Sequence, residues 1–83
     1  MTTVEISFED LLIPPSRVTL GDIVSATDLS ELTGYTRQAF HEARKARRIW
    51  AKRLGREWIF YRPYGLEYVK RMRILGDDKH ALR

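Results

Sequence analysis

The segment Thr33-Gly34-Tyr35-Thr36 constrains this chain more than any other, because it can end one helix and begin another within four residues. Glycine takes the left-handed conformation that closes helices, and threonine is a favoured N-cap. Upstream, Ser25 or Thr27 can cap a helix whose apolar positions Ala26, Leu29 and Leu32 fall three apart. Downstream, the spacing predicts a helix from Arg37 to about Arg47, with Ala39, Phe40 and Ala43 as its apolar stripe. Two short helices around a Gly-containing turn make a helix-turn-helix.

The residues that follow add a hairpin. Ile49 to Leu54 and Glu57 to Tyr61 are rich in β-branched and aromatic residues and flank Gly55-Arg56, the signature of a two-residue turn. Trp58 and Phe60 are expected to face the helices. Pro63 opens a third helix with Leu66, Val69, Met72 and Leu75 as its expected inner face, and Gly76-Asp77-Asp78 ends it. Pro14-Pro15 separates this region from an N-terminal segment. There, Val4 to Phe8 reads as a short strand, while Phe8, Leu11 and Leu12 equally suit one turn of helix. The expected organisation is an extension over residues 1–22, a folded domain over 23–76 and a flexible tail over 77–83.

At 83 residues the chain has room for one small core and for no large catalytic architecture. It has no cysteine and two histidines, which excludes a disulfide framework, a zinc–thiolate site and a histidine cage. No apolar run approaches the roughly 20 residues of a membrane-spanning helix, and the start does not read as a secretory signal. These features point to a cytoplasmic binding module with no cofactor and no membrane partner. No Ser/His/Asp, Cys/His or paired-carboxylate spacing stands out, so the chain is not expected to be an enzyme.

Charge is distributed in blocks. Residues 1–35 carry a net −5, residues 36–62 a net +7 and residues 63–83 a net +2. Positive charge concentrated this way calls for a polyanion, of which nucleic acid is the commonest.

The run Ser25-Ala26-Thr27-Asp28-Leu29-Ser30-Glu31-Leu32-Thr33-Gly34-Tyr35-Thr36-Arg37, followed by Ile49 and then Arg53-Leu54-Gly55-Arg56-Glu57-Trp58, resembles the phage excisionase and MerR-like DNA-binding family. The resemblance covers about residues 23–71. It departs from the family pattern at Arg47, where a helix-ending glycine is frequent, at Trp50, where proline is, and at Glu57, where a base is. It implies an α+β, mainly α winged helix-turn-helix on double-stranded DNA. The second helix would lie in the major groove, with Thr36, Arg37, Gln38, His41, Arg44 and Lys45 as its contact residues. Arginine can pair with guanine and glutamine with adenine through two hydrogen bonds each. Arg47, Arg48, Lys52, Arg53 and Arg56 would serve phosphates and the wing.

The function implied by the resemblance is that of a recombination directionality factor. Such a protein bends attachment-site DNA, binds cooperatively as several copies and works with an integrase. A small phage transcriptional regulator has the same contact chemistry. A terminase-small-subunit-like packaging or docking module would instead use the acidic N-terminal segment.

Overall fold

A computed structural model describes residues 7–76, so Val4 to Ile6 of the strand-like run and the tail over 77–83 lie outside the described residues. Helix α1 (Ala26–Thr33) begins at Ser25, whose Oγ accepts from the Asp28 N–H at 3.1 Å while the Asp28 carboxylate accepts from the Ser25 N–H at 3.1 Å. This reciprocal capping box satisfies two of the N–H groups that a helix start leaves open. Gly34 closes the helix at φ +83°, and Thr36 caps α2 (Arg37–Lys45) by accepting the Ala39 N–H. The hairpin follows as β2 (Ala51–Leu54) and β3 (Glu57–Tyr61), and α3 (Arg62–Ile74) has Pro63 in its first turn. Proline fits there because its missing N–H would have no helical partner.

The sheet has one strand more than the sequence predicts. Ile23–Ser25, just ahead of α1, forms β1 and pairs antiparallel with β3, giving the order β1-β3-β2. Val24 and Ala51 both lie opposite Phe60, which is fully buried. Among the described residues the architecture is therefore α+β, mainly helical, with three α-helices and a three-stranded antiparallel sheet.

Phe40 of α2 is the hub of the core, with ring contacts to Tyr35, Phe60 and Tyr68 at centroid distances of 6.2–6.4 Å. Leu11, Leu29 and Ile49 complete it. Helix α3 buries Gly65, Tyr68, Val69 and Met72, whereas Leu66 and Leu75, expected inside, are 44% and 53% exposed. In α1, Ser30 is buried and Leu32 is 55% exposed. The physical reason is the helical period: residues exactly three apart drift by about 60° per step, so such a series leaves the buried face. The buried residues of α3 follow the i, i+3, i+4, i+7 pattern instead.

The segment ahead of the double proline belongs to the packed structure. Glu9–Leu12 forms a 3-10 turn that places Leu11 in the core, and the Leu11 carbonyl accepts the Trp50 N–H at 2.7 Å. Phe8 tilts against Tyr68, and the Tyr64 hydroxyl donates to the Ile13 carbonyl. Arg71 clamps the same segment, donating to both carboxylate oxygens of Asp10 at 2.6 and 2.7 Å and to the Ser7 carbonyl at 2.7 Å. These hydrogen bonds hold the Asp10 carboxyl below the usual carboxylate range and raise the pKa of the Arg71 guanidinium.

Candidate nucleic-acid interface

Helix α2 buries Ala39, Phe40 and Ala43, and this fixes which of its polar residues face outward. With about 100° between successive residues, Arg37, His41, Lys45 and Gln38 fall on the opposite arc, and Arg44 lies at the border of the buried stripe. Arg37, Gln38 and Lys45 are exposed accordingly. Thr36 is half-buried, its hydroxyl engaged as the cap of α2.

His41 is half-buried, its ring meeting Phe60 edge-on at 6.1 Å. Burial lowers its pKa from the ordinary histidine value, and the neighbouring charges of Arg44, Lys45 and Arg37 lower it further. The neutral imidazole is thereby favoured in the absence of a nearby anion.

Arg44 is tied to the hairpin. Its guanidinium carbon stands 3.8 Å from the centroid of the Trp58 ring, and its Nε is buried without a hydrogen-bond partner. A cation held over an indole face packs α2 against β3, while Arg44 stays half-buried and lines a cleft beside Lys45 and Arg47. Trp58 is half-buried beneath it.

The hairpin turn is Gly55-Arg56, with Gly55 at φ +64°, a conformation that costs glycine little. Arg53 Nε donates to the Gly55 carbonyl at 3.2 Å and braces this turn. Arg47, Arg48, Lys52, Arg53 and Arg56 are all exposed. Arg47 adopts φ +56°, and among the described residues it is the one non-glycine with positive φ.

Three clefts gather these groups around α2. One of about 230 Å³ brings Arg37, His41 and Arg56 together with Trp58 and the start of α1, and Glu57 also lines it. A second, about 520 Å³, carries Thr36, Arg37, Gln38 and His41 beside the buried Ser30. A third, about 430 Å³, sets Arg44, Lys45 and Arg47 beside Trp50 and Trp58. Arg48, Lys52 and Arg53 line none of the three.

Two residues of this surface are not anticipated by the sequence. Trp58 is the floor shared by two of the clefts rather than a core residue alone. Glu42 accepts from Gln38 Nε2 at 3.5 Å, so a carboxylate stands beside the amide expected to read a base. Its position four residues after Gln38 was the available signal. Among the described residues no group of three or more acidic or histidine side chains could hold a metal ion, and no helix is long and apolar enough to cross a membrane. Comparison of the chain with protein-family models, curated proteins and solved structures finds no match.

Proposed function

We propose that the protein is a winged helix-turn-helix that binds double-stranded DNA, with α2 as its recognition helix and the β2–β3 hairpin as its wing. The observation that carries this reading is the convergence of Arg37, His41 and Arg56 on one cleft. A helix face and a hairpin tip that are separate in sequence present cations toward the same space. A duplex offers phosphates on both sides of a groove, which suits cations contributed by two elements. Arg37, Gln38 and Lys45 are the base-facing candidates. Arg47, Arg48, Lys52, Arg53 and Arg56 are the phosphate candidates, and Arg44 supports the surface from beneath.

Within this reading the biological output is excisionase-type recombination control with an integrase, the role that the sequence resemblance implies. The test is a mobility-shift titration on random duplex and on DNA flanking the gene at two salt concentrations. Roughly five or six neutralised phosphates give a slope of log affinity on log salt of about −5. Stepwise bands on the flanking DNA support specific binding by several copies. The absence of any shift at low salt refutes the DNA reading. Failure to stimulate excision by the cognate integrase, with specific binding retained, favours a transcriptional regulator.

A further inference from the structure

We propose that the groove between the C-terminal end of α1 and the outer face of α3 docks an amphipathic helix of a partner protein whose apolar stripe is flanked by acidic residues. The groove has a volume of about 480 Å³ and is lined by Leu32 and Thr33 of α1 and by Leu66, Val69 and Ile74 of α3, with Lys70 and Arg73 at its rim. Leu32, Leu66 and Ile74 are 55%, 44% and 62% exposed, and Leu75, next in sequence to Ile74, is 53% exposed. Scattered single apolar residues are ordinary on a surface, but three that share one groove with two helical walls are a patch. Positions 66, 70, 73 and 74 recur at the spacing of one helix face, the geometry in which a groove receives a helix.

Charge chooses the occupant. Both charged residues lining the groove are cations, and no carboxylate lines it. Arg73 is fixed in place, its guanidinium donating to the Thr33 carbonyl at 2.8 Å and lying 5.8 Å from the Tyr35 ring centroid. A second copy packed face to face on this groove would bring two cationic linings together and supply no carboxylate to Lys70 and Arg73, an unfavourable pairing. Among the described residues, the acidic apolar turn Glu9–Leu12 is engaged within its own chain. Leu11 is in its own core and Asp10 is held by Arg71 of its own α3. What fits is a different chain that supplies leucine-like side chains to the floor and carboxylates to the rim. The groove shares no residue with the clefts around α2, so the partner and DNA can be held together.

The test uses two synthetic amphipathic peptides with identical leucine stripes at i, i+3 and i+7, one flanked by glutamates and one by lysines. Each is titrated into the isotope-labelled full chain and followed by amide chemical shifts. The expected result is saturable shifts at Leu32, Thr33, Leu66, Val69 and Ile74 with the acidic peptide, binding at least about tenfold tighter than the basic one, as two rim charges allow. Leu66→Lys and Ile74→Glu, both at exposed positions, are expected to abolish these shifts while leaving the remaining spectrum folded. The proposal is overturned if the acidic peptide shifts only α2 and the hairpin, if the two peptides bind equally, or if neither perturbs the groove. Concentration-dependent dimerisation that Leu66→Lys abolishes would assign the groove to a second copy and overturn it equally.

Discussion

Replacing Gly65 by alanine sets two known effects against each other, and the structure decides the sign. Gly65 lies within α3 and is buried. In a helix interior alanine is favoured over glycine by about 1 kcal/mol, so helix propensity alone predicts stabilisation. The added Cβ, however, would stand 2.4 Å from Leu29 Cδ2, 2.8 Å from Cδ1 and 3.2 Å from Cγ. Carbon atoms in contact prefer about 3.5–4.0 Å. Leu29 is fully buried at the α1–α3 contact, so its methyl groups must displace packed neighbours to make room. Overpacking of this kind costs about 1–3 kcal/mol, which leaves a net loss of up to about 2 kcal/mol after the propensity gain. For a domain of this size each kcal/mol moves Tm by roughly 4–8 °C. Thermal and urea unfolding of Gly65→Ala therefore show a lower midpoint with an unchanged urea m-value. Leu29→Ala alone costs about 2–5 kcal/mol through the cavity it leaves. In the double variant the new methyl group enters that cavity, so the combined loss is smaller than the sum by at least about 1 kcal/mol. A Gly65→Ala protein more stable than the parent, or strict additivity in the double variant, would refute the claim that α1 and α3 approach too closely here for a Cβ.

Further outcomes can be checked on the same protein. Arg47→Gly relieves a left-handed non-glycine residue and raises stability by about 1 kcal/mol in urea unfolding; on the proposed DNA-binding function, with one cation fewer for phosphate, it also flattens the salt dependence of binding by about 0.9. Arg44→Ala uncovers the Trp58 face, shifting tryptophan emission and lowering stability by about 1 kcal/mol, with a smaller loss of DNA affinity than Arg37→Ala. Because the folded-state pKa of Asp10 is lowered, its contribution to stability is present above the unfolded value of about 3.9 and disappears as pH falls through the folded value; Asp10→Asn removes that part of the acid limb in pH-dependent unfolding. His41 also has a lowered folded pKa, so its protonation below about pH 6.5 disfavours the free fold, whereas a nearby phosphate favours the imidazolium. DNA affinity measured at constant salt is accordingly expected to rise from pH 7.5 to pH 6 in about the range where histidine titrates, and His41→Gln to flatten that rise.

The parts of the fold that are legible in the sequence are those governed by single residues with one physical role. Gly34 and Thr36 mark the turn, Ser25 starts α1, Gly55-Arg56 turns the hairpin and Pro63 opens α3, because backbone conformation and capping are local properties. What the sequence conceals depends on partners distant along the chain. The three residues of β1 become a strand only because β3 presents an edge to them, and Leu11 reaches the core only because Arg71 and Trp50 hold its segment down. The candidate interface divides the same way. The helical period indicates which residues of α2 face outward, but the stacking of Arg44 on Trp58 rests on a contact across 14 positions that no spacing rule expresses. The misplaced leucines carry a physical consequence of their own. Leu32 and Leu66 satisfy an apolar spacing that belongs to neither buried face, and both end in the same groove. Two helices whose apolar residues drift out of the core toward a shared surface retain hydrophobic area that folding of the single chain does not remove from water. At about 25 cal/mol per Å² such area favours a covering partner, and the cations at its rim restrict the kind of partner that can approach.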